Sequence, residues 1–322
     1  MTSVTHDVPS ATASRLGAGV GLAVVSAASF GLSGTLAKGL IDAGWSAGAA
    51  VVVRVALAAL VLAVPALVLL GGRWHLLRQN RGMLAGYGLV AVAGCQLAYF
   101  NAVTHLQVGV ALLIEYTAPV AVIAWLWMRH GQRPGPLTLA GAALAAVGLV
   151  LVLDLLSGAD LSVVGVAWAL GAMAGVAVYF VLSASETNGL PPVVLAAGGL
   201  GLGAAGLLVA GALGIVPMAA STADVEYDGT AVSWWLPLLA LGVVTAALAY
   251  VTGIAASRRL GPRLASFLAL AEVLFALVFA WLLLDELPRV VQVLGGVLIL
   301  LGVAVVKLGE RRTTLVSGRP GG

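Results

Sequence analysis

An all-α polytopic membrane protein, with ten transmembrane helices as two inverted five-helix repeats, is the fold class this sequence predicts. Three observations lead there. The 322 residues are 61% hydrophobic and 9% charged, with a mean hydropathy of +1.10, whereas soluble domains carry roughly 25% charged residues. Apolar stretches of about 18 or more residues, long enough to cross about 30 Å of hydrocarbon, recur along the whole chain. The second half also repeats the first at a nearly constant offset.

Taken in order, residues 1–14 form a small, polar tail, expected to be disordered. The first span is expected near Leu16–Leu36, as a retained helix and not a cleavable leader, because its apolar run continues past Ser26-Ala27-Ala28. Four more spans follow near Trp45–Leu70, Met83–Val103, Val108–Met128 and Leu137–Leu155, completing a first repeat over residues 15–156. The second repeat, residues 157–308, holds spans near Val163–Ser183, Pro192–Leu213, Trp234–Ala256, Leu264–Leu284 and Val290–Val305. Residues 309–322 form a second tail. The loop Gly214–Ser233 is too short and polar for a sensing or docking domain.

Charge parity supports this parsing. With the N-terminus in the cytoplasm, 13 of the 16 basic residues fall in cytoplasmic segments, Arg73, Arg78, Arg81, Arg258, Arg259 and Arg263 among them. Such a bias is the positive-inside pattern, and it puts both termini in the cytoplasm of a cell membrane. The net charge of +3 is dispersed among short loops, which excludes a nucleic-acid-binding stripe.

The repeat is read from paired residues. Ala98-Tyr99 matches Ala249-Tyr250 at an offset of 151, and Trp127, Pro134, Gly141 and Gly148 match Trp281, Pro288, Gly295 and Gly302 at 154. A repeat with an odd number of spans inserts with opposite orientation in its two copies, an arrangement found in secondary transporters. The ten spans, Arg54-Val55-Ala56-Leu57 in the second of them, and Ala269-Leu270-Ala271-Glu272-Val273 with Trp281–Glu286 resemble the EamA-type drug/metabolite transporters. Val273 stands where that family usually has a proline, a feature the first half keeps as Pro119. Gly34–Lys38 and Leu113–Val122 resemble more narrowly the threonine/homoserine exporter branch. The resemblance implies export of amino acids or related polar metabolites, with drugs or other small organic molecules as the alternative.

Glu115 and Glu272 are the only carboxylates buried within the expected spans, Asp154 falling at the outer end of the fifth. An ionisable residue at the bilayer centre costs about 2.5–3.5 kcal/mol on insertion scales, so each is a candidate for substrate binding or proton coupling. A hydrogen-bonded acid tying two helices together is the structural alternative. Arg54, about nine residues into the second span, needs a partner that a substrate carboxylate or Glu115 would supply, unless it snorkels. Lys38 closes the first span, where it could meet anions entering or leaving. Gln96 and Tyr99 share a face of the third span at helical spacing and are candidate cavity liners, with Tyr250 repeating Tyr99. Tyr116 points about 100° away from Glu115 in a continuous helix, so the two should not face one cavity equally. Pro119 removes a backbone hydrogen bond beside Glu115 and is a candidate hinge. Gly17 and Gly21, Gly199 and Gly203, and the repeated glycines supply small packing faces. Cys95 is expected to be a small buried hydrophobe.

The four histidines lie in the tail and loops, and no HExxH pair occurs in a span, so neither an intramembrane enzyme nor a metal or other cofactor is expected. Two lone carboxylates do not make a charged ring, which argues against a channel. A carrier driven by an ion gradient, with protons as the candidate ion, is the remaining reading. Its partners are a small-molecule substrate and the lipid bilayer.

Overall fold

The computed structural model describes residues 8–103, 105, 111, 114–152, 162–186, 189–284 and 289–317. The start of the fourth expected span and the end of the fifth lie outside these residues, as do 1–7 and 318–322.

Helix α1 runs Val8–Asp42 and α2 runs Ala47–Leu70. Ser46 starts α2 by accepting from the Ala49 amide, and Gly71, at φ 55°, ends it in the left-handed conformation a side chain rarely adopts. A short α3, Trp74–Gln79, leads into α4, Arg81–Ala85, which continues through a π-helical segment Gly86–Gly94 into α5, Cys95–Val103. Helices α6, Ala118–His130, and α7, Pro136–Val152, complete the first half. The second half holds α8, Val163–Ser183, and α9, Pro192–Ala212. Next come α10, Trp235–Gly242, a π-helical segment Val243–Leu248, and α11, Ala249–Ala269. Helices α12, Ala271–Leu284, and α13, Val290–Ser317, close the chain. Both tails are shorter than expected: the helical backbone already runs at Val8 and continues to Ser317, with no proline or glycine in 11–16 or 310–317 to stop it.

Among the described residues, six helical stretches are long and apolar enough to cross a membrane, from Leu16–Asp42 to Trp235–Ala269, and three shorter apolar helices accompany them. Two expected spans are interrupted. In the fourth, Ile114 and Glu115 are helical, Tyr116 and Thr117 form a turn, and α6 begins at Ala118. In the ninth, Leu270 separates α11 from α12, and Gly261 at φ 76° marks the tight turn from the eighth span into it. Both breaks use the same pair of i→i−3 hydrogen bonds: Thr117 to Ile114 and Val120 to Thr117 in one, Leu270 to Phe267 and Val273 to Leu270 in the other. The chain tightens to three-residue turns there because neither segment propagates the i→i−4 ladder across the junction. Pro119 is therefore not an interior kink. It is the second residue of α6, where an amide would have no intrahelical partner anyway.

Packing displays the inverted relation between the halves. Helix α7 lies against α13, with Gly141 against the Gly302 carbonyl and Gly148 against that of Gly295. Each glycine thus meets the repeat mate of the other, as a two-fold axis between the helices requires. Likewise Gly88 abuts Leu202, and Gly242 abuts Leu57. The π segments end alike: the Cys95 amide bonds to Val90 and Val92, and the Ala249 amide to Val244 and Ala246. These matches give an offset of 154 for the third and eighth spans too, so the structural counterpart of Tyr250 is Gln96 and not Tyr99. The buried core follows the same seams, its largest cluster lying between α2, the first π segment, α8 and α9. Gly199 and Gly203 are closely packed, against Tyr87 and Val92, but Gly17 and Gly21 meet no neighbour within 4 Å.

The loop after α9 folds into a two-stranded hairpin, β1 Val225–Tyr227 and β2 Thr230–Val232. Asp228 and Gly229, both at positive φ, make its turn, the geometry that suits the right-handed twist of paired strands. The Tyr227 hydroxyl donates to the Leu36 carbonyl at 2.9 Å, and its ring covers Gly39 of α1. Burial pushes the Tyr227 hydroxyl up to about 12. A raised folded value means the clasp is complete below the free tyrosine range and is lost as pH climbs through 12. Tyr227→Phe, which deletes only the hydroxyl, should lower stability by about 1 kcal/mol, readable as a reduced Tm of the purified protein.

Candidate functional site

A cavity of about 630 Å³ lies between the halves. It is walled by α1, α2, the third span, the Glu115–Pro119 break, α8, α11 and α12. One end reaches Lys38 and Ile41, both exposed, and Ala47. The other stops at Ser257, Ala265 and Ser266, all buried.

Every residue singled out as a candidate lines this one cavity: Lys38, Arg54, Gln96, Tyr99, Glu115, Tyr116, Pro119, Tyr250 and Glu272. Tyr116 does so because the helix turns at 116–117, which removes the 100° separation from Glu115 that a continuous helix would impose. Glu115 sits two residues before Thr117, the centre of its break. Glu272 sits two residues after Leu270, the centre of the other. The two carboxylates thus flank equivalent breaks from opposite sides, and at that register Glu272 is the counterpart of Pro119.

Arg54 is held by a carbonyl that the π segment releases. In an α-helix the Ala249 amide would bond to the Thr245 carbonyl, but here it bonds to Val244 and Ala246. The Thr245 carbonyl is left to accept from Arg54 Nη2 at 2.7 Å. The guanidinium carbon lies 5.7 Å from the Phe30 ring centre, and the buried Nε has no hydrogen-bond partner. The carboxylate that acts on Arg54 is Glu272 and not Glu115, and the Tyr116 hydroxyl also faces Glu272. Glu115 instead accepts from the Cys95 thiol, Sγ to Oε1 at 3.6 Å. Cys95 packs closely on Gly175 of α8 and is buried as expected, and its thiol also serves Glu115.

Aromatic rings form much of the wall. Phe30 meets Tyr250 edge-on at 5.1 Å, and Tyr250 meets Tyr179 edge-on at 5.7 Å. Ser26, whose hydroxyl donates to the Ala249 carbonyl at 2.8 Å, also lines the cavity. Phe30, Cys95 and Ser26 line the cavity without being candidates by residue type, and Tyr179, one of the aromatics marking the sixth span with Trp168, joins them. Tyr179 and Ser183 do recur at i, i+4 on α8, a signal that could have marked that face. Trp168, on the same helix, is exposed.

Both halves of the chain match one family description separately, over residues 17–154 and 163–308, and that description is the EamA-like transporter family. The chain belongs to this family. An EamA-like chain is a membrane transporter of small molecules, which accords with a cavity set between two inverted halves. The chain is 29% identical over 226 residues to an uncharacterized transporter of Archaeoglobus fulgidus, covering 69% of this chain and 74% of that protein. A solved crystal structure shares the fold, with a TM-score of 0.71 and 21% identity, covering 92% of this EamA-like chain and 99% of the other.

Proposed function

We propose that this EamA-like transporter is a secondary carrier of the cell membrane that exports small polar metabolites, amino acids being the class, by alternating access. It crosses the membrane ten times with both termini in the cytoplasm, and protons drive it. The observation that carries the reading is one cavity holding a guanidinium with an unpartnered donor and two carboxylates beside helix breaks. An amino acid presents a carboxylate for Arg54 and an ammonium for Glu115 or Glu272. The open Lys38 end would face outwards, and a closed floor at Ser257 and Ser266 corresponds to one of the two states that alternating access needs.

The cavity is larger than one amino acid and mostly apolar, which favours as a second reading a bulkier organic molecule. Counterflow in proteoliposomes, across a panel of amino acids and of hydrophobic organic compounds with and without a pH gradient, separates the two. Exchange of the organic compounds alone would overturn the amino-acid reading, and uptake indifferent to the gradient would overturn proton coupling. Arg54→Lys should raise the half-saturating substrate concentration about tenfold. A lysine has its donors on a single nitrogen, so it loses the planar fork that holds the Thr245 carbonyl through one nitrogen and presents another to substrate. An unchanged value would remove Arg54 from the site.

A further inference from the structure

At the closed floor of the cavity, and continuing past it, lies a second group of polar side chains. Arg258 Nε and Nη2 and Ser257 Oγ are buried without a hydrogen-bond partner, and Ser183 Oγ is buried beside the hydroxyls of Tyr87 and Tyr179, with which it interacts. Ser183 and Ser257 are completely covered. The groups belong together: the Tyr87 and Tyr179 rings are 5.8 Å apart, both tyrosines neighbour Ser183, and Tyr87 interacts with Arg258. Glu186, exposed at the end of α8, is the carboxylate nearest in charge to Arg258, yet two of the guanidinium nitrogens remain buried and unbonded. Unmade hydrogen bonds on buried atoms are costly, and folded proteins keep few of them.

The composition of the group decides what would satisfy it. A guanidinium and four hydroxyls offer many donors, and an ionised carboxylate offers only acceptors, with the planar fork that a guanidinium matches. Position agrees, since Tyr179 and Ser257 also line the central cavity. Ser183 is one turn beyond Tyr179 on α8, and Ser257 is two turns beyond Tyr250 on α11, so the group continues the same walls past the floor.

We infer that this cluster is a second binding subsite, which takes the carboxylate of the substrate when the Arg258 end of the bundle opens. The inference rests on the amino-acid reading for its biological ligand, but not for the chemistry of the site. The carboxylate passes between two guanidinium stations, Arg54 in the centre and Arg258 at the cytoplasmic end, and the four hydroxyls complete its shell at the second.

The test uses the purified full chain in detergent, with acetate as probe and chloride at matched ionic strength as control. Acetate should raise Tm in the wild type and in Arg54→Gln. Arg258→Gln should raise the half-saturating acetate concentration by about tenfold or more, the loss of one charge-assisted hydrogen bond. Arg259→Gln, at an exposed neighbour, should match the wild type. Should Arg258→Gln fail to fold, the pair Ser183→Ala and Ser257→Ala keeps the guanidinium and should still weaken acetate. The inference is overturned if acetate has no effect, if chloride does as well, or if the effect disappears in Arg54→Gln and survives in Arg258→Gln. An acetate effect as expected, without amino-acid counterflow, would sink the amino-acid reading and leave the subsite standing.

Discussion

Glu115→Gln is expected to abolish uptake driven by a pH gradient, by roughly a hundredfold, while leaving part of the gradient-independent exchange intact. The two intramembrane carboxylates have different surroundings. Glu272 lies beside Arg54 and the Tyr116 hydroxyl, which act on its charge directly. Glu115 has the Cys95 thiol, and no cation appears among its interactions with the described residues. Glu272 is committed to holding Arg54, whereas Glu115, with a thiol beside it, is the carboxylate left to exchange a proton in the proposed cycle. Glutamine keeps the shape and the acceptor for Cys95 but carries no exchangeable charge. Binding should therefore survive in part, and coupling should not. Glu272→Gln should instead weaken exchange itself, because it strips Arg54 of its counter-charge. Gradient-driven uptake by Glu115→Gln at the wild-type rate, in protein shown to be inserted, would refute the assignment.

Much of this architecture could be read from residues, and what could not has identifiable causes. The apolar runs, the alternating arginines and the paired glycines are composition-level signals, and a bilayer imposes them directly. Two loop contacts agree with the expected sidedness: Ser46 binds the backbone of Pro217 and Ala219, and Arg263 reaches the Gln132 carbonyl. Each joins loops that parity puts on one side of the membrane.

The helix breaks were not legible, because Tyr116-Thr117 and Leu270 are ordinary residues in apolar surroundings. Only the first has a proline beside it, Pro119, which cannot donate to the Glu115 carbonyl; the second has neither glycine nor proline at the junction. The π segments have the same character: their sequences read as smooth apolar helix, and only the skipped carbonyl of Thr245 reveals them. The recurring Ala-Tyr dipeptide suggests an offset of 151 for the third and eighth spans, whereas the matched ends of the π segments give 154, so Tyr99 does not pair with Tyr250. The hairpin is different. Asp228-Gly229 between Val225, Tyr227 and Val232 is a direct hairpin signal, overlooked because the loop was weighed only for size and polarity. The candidate residues do share one cavity, since charge within an apolar span is conspicuous whichever way its helix bends. Their partners were harder to foresee: Arg54 finds a backbone carbonyl and Glu115 a thiol, and neither follows from residue type.

The inverted repeat makes a prediction of comparable size far from the cavity. Helices α7 and α13 cross where Gly148 meets the Gly295 carbonyl and Ile299 backbone, and Gly302 meets the Gly141 carbonyl and Ala145. Small residues let two backbones come this close in lipid, where dispersion and weak Cα–H···O contacts replace the hydrophobic effect as the attraction between helices. A leucine at Gly148 would be driven into backbone, which cannot rotate aside as a side chain can. Gly148→Leu should therefore cost about 3 kcal/mol or more and remove most of the monodisperse protein seen on size exclusion. Gly302→Leu should do the same, because the two positions are repeat mates that a two-fold axis makes equivalent. Gly21→Leu, which meets nothing within 4 Å, should be tolerated. If Gly148→Leu and Gly302→Leu differed sharply, the axis would not run through this crossing. Equal and severe losses would show that the two contacts are equivalent, as the axis requires.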